Sequence, residues 1–128
     1  MPNQEACQAE ATFEKCYHGL SDWMQGFTPL AVERLRRINQ ASSTSRHIIL
    51  ALTYGIADKE IRQVNRMIIG LMLSRHKAVR RGDTDMEAAI EIRLKALHRA
   101  VNGLVGPPPQ GVNDVVCRSV SRTSQMAG

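Results

Sequence analysis

Apolar residues recur along this chain at steps of three and four, the spacing of one helix face. From Glu5 to about Gln25 they are Ala6, Ala9, Phe13, Cys16, Tyr17, Leu20 and Met24, with Phe27 next. Gly19 falls inside this pattern and weakens the helix by ~1 kcal/mol relative to Ala. Gly26-Phe27-Thr28-Pro29 reads as a stop followed by a start. Thr28 can cap the open backbone N–H groups, and Pro29 suits the first helical position, where its missing N–H costs nothing. The second helix runs to about Gln40, with Leu30, Leu35 and Ile38 inward and Glu33, Arg34, Arg36 and Arg37 outward.

Ala41-Ser42-Ser43-Thr44-Ser45 is a polar connector rich in capping hydroxyls. A third helix follows with Ile48, Ile49, Leu50, Leu52 and Ile56. Its register then slips, because position 60 is Glu and the next apolar residue is Ile61. A turn between Gly55 and Asp58, with Asp58 capping a fourth helix, explains the slip. One long helix with a local phase change is the competing reading.

The fourth helix, about Lys59 to Arg81, carries Ile61, Val64, Met67, Ile68, Leu71, Met72 and Val79. Its middle, Met67–Leu73, is apolar nearly all round, the mark of a helix buried on several sides. A second copy of the chain is one way to supply that cover. Gly82 suits the left-handed residue that ends a helix, and Thr84 with Glu87 has capping-box spacing. The fifth helix, about Asp85 to Leu104, turns Met86, Ala89, Ile90, Leu94, Leu97, Val101 and Leu104 inward. The short turn makes helices four and five an antiparallel hairpin.

The expected fold is therefore all-α, a four- to five-helix bundle. Residues 1–105 form the helical domain and residues 106–128 a Pro-rich linker and flexible tail. Pro107-Pro108-Pro109 favours an extended segment. Beyond it, Val115, Val116 and Val120 offer an alternative in which the tail docks as a short strand.

Composition narrows the picture only slightly. A chain of 128 residues, 43% hydrophobic and 23% charged, suits one helical domain with an aliphatic core. The net charge of +5 permits nucleic acid or an acidic partner without specifying either. Cys7, Cys16 and Cys117 lack disulfide or zinc spacing and suit a reducing cytoplasm. The apolar runs are far short of the ~20 residues that span a bilayer.

No reaction chemistry stands out. There is no phosphate loop, HExxH, GxSxG or zinc-spaced Cys/His cluster. His18, His47, His76 and His98 do not fall one turn apart. Asp83, Asp85 and Glu87 cluster where capping and the helix dipole already account for them. The same dipole accounts for Arg75, His76, Lys77, Arg80 and Arg81 at the other helix end. The expectation is a non-enzymatic protein without catalytic residues, metal or cofactor, although a small helical enzyme assembled from distant residues remains a third reading.

Two interaction readings remain. Ala51, Gly55, Ile61 and Val64 have the spacing of a helix-turn-helix motif, in which a small residue permits close crossing, a glycine turns the chain and two aliphatics pack back. Leu50, Tyr54 and Ile56 match that motif's buried positions. By this resemblance Lys59, Arg62, Gln63 and Arg66 would face the major groove. Against it, Ile48, Ile49 and Leu52 would lie on the outer face, and Asp58 and Glu60 would point toward phosphates.

The other reading starts from the apolar surplus. Ile48, Ile49 and Leu52, together with Met67, Leu71 and Met72, exceed what one hairpin hides, and such a surplus marks a partner surface or dimer seam. Trp23-Met24-Gln25-Gly26-Phe27 and Ser43-Thr44-Ser45-Arg46-His47-Ile48-Ile49-Leu50 resemble the small all-helical bacterial antiactivators of quorum-sensing regulators, the QslA type. That resemblance implies a cytoplasmic homodimer that binds a LuxR-type transcription factor through apolar helices.

Overall fold

The computed structural model describes residues 3–109, with side chains from Cys7 onward. The expectations for the tail, flexible or docked as a strand, lie outside the described residues beyond Pro109. Within them are five α-helices and no strand: α1 (Asn3–Met24), α2 (Pro29–Asn39), α3 (Thr44–Ala57), α4 (Lys59–Arg81) and α5 (Thr84–Val105). The all-α expectation holds. Contacts divide the chain into two compact units, and α4 contributes to both.

The first unit comprises α1, α4 from Ile68 on, and α5 to Leu104. Its buried side chains are aliphatic or small: Met24, Ala78, Ile90, Leu94, Ala96, Leu97, Ala100 and Val101. The α4–α5 hairpin forms as the sequence predicts. Gly82 adopts φ +71°, and the Asp83 and Gly82 amides donate back to the Ala78 and Val79 carbonyls at 2.9 and 3.1 Å. Those bonds satisfy carbonyls that the helix end leaves open. Asp83, rather than Thr84, caps α5: its Oδ1 accepts from the Met86 amide at 3.1 Å.

Arg75, only 13% exposed, fixes the antiparallel register by reaching Glu91 at 2.7 Å and Glu87 at 3.7 Å. Arg99 ties α5 to α1. Its Nη1 donates to Glu14 at 2.9 Å while its guanidinium lies 4.1 Å from the Tyr17 ring centroid. Such a cation over an aromatic face adds electrostatic attraction to packing.

The second unit comprises α2, α3, α4 to Met67, and the chain from Val105. Thr28 caps α2 by accepting from the Ala31 amide at 3.1 Å, with Pro29 opening the helix as expected. Ser43 caps α3 in the same way through the Arg46 amide. Ala31, Leu35, Ile38, Ile61 and Val64 are buried here.

The segment 48–81 is two helices, and Asp58 alone separates them. Its Oδ1 accepts from the Glu60 and Ile61 amides at 3.1 and 3.4 Å. Gly55 is not the turn. It lies inside α3 with an ordinary helical φ, whereas the glycines at positive φ among the described residues are Gly82 and Gly106.

Several positions expected to face inward are exposed: Leu30, Ile56, Val79 and Met86. The centre of α4 is also less enclosed than its composition suggested, since Ile69 and Leu73 are exposed. Spacing assigns residues to faces; whether a neighbour covers a face depends on the rest of the chain.

Candidate functional site

The site is built on α3, whose two sides differ. On one side it meets α4 through small residues. A Cβ added at Gly55 would lie in ordinary contact with the Arg62 Cα at 3.9 Å but only 3.1 Å from Asn65 Nδ2, so it would press on that side-chain amide. Asn65 Nδ2 donates to the Ala51 carbonyl at 2.7 Å and joins the two helices across Asp58. The sequence reading missed Asn65. Its signal was a polar residue on the same α4 face as Ile61, Val64 and Ile68.

Toward α2, α3 presents Tyr54 and His47. Arg34 lies 5.5 Å over the Tyr54 ring and reaches the Asp58 carboxylate at 3.7 Å, so it braces the α3–α4 break. The Tyr54 hydroxyl, and then the Glu33 carboxylate, hold the Arg37 guanidinium above its ordinary pKa. Arg36 beside Glu33 holds that carboxylate below the usual range. Burial pushes the His47 imidazole down, against a smaller opposing effect from the Ile38 backbone, and its Nδ1 is buried without a hydrogen-bond partner.

The remaining side of α3 is aliphatic and open. Ile48 is 51% exposed, Ile49 62%, Leu52 61% and Ile56 83%. They recur at helical spacing, and α3 has no fully buried residue at all. Large aliphatics scattered singly on a surface are normal; four along one helix face form a patch of the kind that marks interaction sites. The structure thus brings Ile48, Ile49 and Leu52 together and adds Ile56, which the helix-turn-helix pattern had placed inside. Met67 is half-buried in the same unit, whereas Leu71 and Met72, also half-buried, belong to the first unit.

The second candidate set lies on the opening turns of α4. Lys59, Arg62, Gln63 and Arg66 are all exposed and share one helix side, while Ile61 and Val64 on the opposite side are completely buried. Asp58 is turned inward by its capping bonds and its contact with Arg34, so it does not face outward as feared. The helical Gly55 departs from the motif, which needs that glycine to turn the chain.

The first unit contains a cleft of about 260 Å³ bordered by Tyr17, Ser21, Gln25 and Gly103. Its lining carries no carboxylate, imidazole or thiol. Among the described residues no three His, Cys, Asp or Glu side chains are placed to hold a metal ion, and no helix is long and apolar enough to cross a membrane.

Comparison of the chain with family models, with curated proteins and with solved structures returned no match.

Proposed function

We propose that this protein is a non-enzymatic cytoplasmic regulator that acts by binding another protein through α3. The observation that carries the reading is the open aliphatic face of Ile48, Ile49, Leu52 and Ile56. The face bears no charge, so it recognises an apolar surface by packing, in the manner of a helix laid into or against a partner's groove. The resemblance to quorum-sensing antiactivators makes the dimer surface of a LuxR-type transcription factor the first partner to try. Homodimer formation belongs to the same proposal, and exposed Ile69 and Leu73 on α4 are its candidate seam.

The decisive experiment is nuclease-treated affinity capture and co-purification with LuxR-type proteins, comparing wild type, Leu52→Lys and Arg62→Ala/Arg66→Ala. A partner lost with Leu52→Lys and retained with the double arginine variant supports the proposal. Capture unaffected by Leu52→Lys sinks it. Light scattering of wild type and Leu73→Lys checks the dimer.

A second reading, binding of duplex DNA by α4, is favoured by the exposed Lys59, Arg62, Gln63 and Arg66 over buried Ile61 and Val64. Titration with genomic DNA tests it. Salt-dependent binding whose slope falls by about one for each arginine replaced supports it, and no binding at low ionic strength removes it.

A further inference from the structure

The aliphatic row on α3 has a symmetry of its own. Ile48, Leu52 and Ile56 stand four residues apart, each about 6 Å along the helix from the next, with Leu52 at the midpoint. A two-fold axis through Leu52 lays the row on itself, with Ile48 taking the place of Ile56 and Ile56 that of Ile48. Such a face fits a second copy of itself, which is what an isologous interface requires. Rows of residues four apart are also the ridges that interdigitate in the commonest class of helix pairs.

The charges choose the same occupant and its direction. α3 has no acidic residue in its first turn and no basic residue in its last, so its side chains leave both ends of the helix dipole uncompensated. Its sole Arg or Lys, Arg46, is exposed in the first turn, the end that disfavours a cation, and joins no ion pair among the described residues. In an antiparallel pair each Arg46 comes level with the last turn of the other copy, where the open carbonyls attract positive charge. The two guanidinium groups then stand about 18 Å apart along the axis, beyond the screening length of about 8 Å. A parallel pair would set them side by side. The row itself is uncharged, so pairing takes no ion out of water.

The unit that presents this face is closed without it. Asn39 Nδ2 donates to the Gly106 carbonyl and Gln40 Nε2 to the Pro107 carbonyl, both at 2.7 Å, and Asn65 ties α3 to α4. A face held on a closed frame loses little freedom when it is covered.

We propose that the open face of α3 pairs with the same face of a second copy, antiparallel about Leu52, and that a protein partner competes with this pairing. The competition rests on the reading of α3 as the docking surface and supplies its regulation. The contact is distinct from the α4 seam. It is weak by size: a stable interface draws about 20–30 residues from each side, and this face offers four aliphatics. Dilution therefore releases it, and a partner with a larger apolar surface displaces it.

The test uses the full chain with Cys7, Cys16 and Cys117 replaced by Ser. Leu52→Cys in that background should give a covalent dimer under mild oxidation, since the axis sets the two thiols opposite each other. Ile48→Cys should cross-link to Ile56→Cys on a differently tagged chain several-fold faster than to itself. In sedimentation equilibrium of the otherwise unaltered chain, Leu52→Lys should weaken self-association several-fold. No covalent dimer at Leu52→Cys overturns the proposal. So does Ile48→Cys that cross-links to itself as readily as to Ile56→Cys, or self-association that Leu73→Lys removes and Leu52→Lys leaves untouched. Partner capture separates this result from the underlying reading. A cross-linked Leu52→Cys dimer that captures as much partner as its reduced form keeps the pairing and sinks the docking role. Partner lost on Leu52→Lys, with no cross-link at Leu52→Cys, does the reverse.

Discussion

α3 and α5 look alike as strings of aliphatic residues at helical spacing, and the molecule uses them in opposite ways. α5 buries Ile90, Leu94, Ala96, Leu97, Ala100, Val101 and Val105, whereas α3 buries nothing completely and leaves Ile48, Ile49, Leu52 and Ile56 open. The same hydrophobic free energy is released in folding by one helix and kept in reserve by the other. At roughly 25 cal/mol per Å², an open aliphatic face is latent association energy. An apolar stripe is thus a statement about a helix, and cover is a statement about its neighbours.

The sharpest way to break this contrast is Leu97→Ala. Leu97 is fully buried, and the substitution should cost about 2–5 kcal/mol in chemical denaturation. A cost below 1 kcal/mol would mean that α5 is not the core helix described here.

Asp58→Ala should follow at about 1–3 kcal/mol. It removes the α4 cap and leaves Arg34 without its carboxylate. The same variant should lose α3–α4 contacts, read as faster exchange of the Ile61 amide.

Gly82→Ala comes next at about 1 kcal/mol, because an L side chain is strained at φ +71°.

His47 gives a gentler, pH-dependent effect on the α3 side. Burial lowers its folded pKa beneath the unfolded value, so the unfolded chain binds a proton first. The contribution is fully present above the unfolded pKa of about 6.5 and is lost as pH falls from there through the folded value. His47→Gln should flatten that part of the stability–pH curve, and a curve identical to wild type would contradict the burial described.

Leu52→Lys should be smallest, within about 0.5 kcal/mol, because an exposed position loses little packing. A large loss would show that the α3 face is covered by something that stabilises the fold.

Much of this architecture was legible in the residues. Thr28-Pro29, Asp58 and Gly82 act as cap, break and left-handed terminator because each residue type has a narrow local use. Gly55 was misread because glycine serves two purposes, turning a chain and letting helices approach, and short-range sequence does not separate them. The α5 cap fell one residue early, on Asp83, since Asp and Thr are both good caps. Of the candidate site, Ile48, Ile49 and Leu52 were foreseen as an outer face. Ile56 was not, because the helix-turn-helix pattern assigned it a buried role. Asn65 was legible only as an oddity, a polar residue on an apolar face, whose partner at Ala51 emerges once two helices cross.

The hydrogen bond from Asn39 to Gly106 closes a loop of 67 residues. Contacts so distant in sequence bear a large loop-closure entropy and form late, after the local helices they depend on. During synthesis α3 is therefore complete well before Gly106 exists to be gripped. A chain halted in α5 lacks the Gly106 and Pro107 carbonyls that Asn39 and Gln40 bond, so the second unit closes only after α5 has been made.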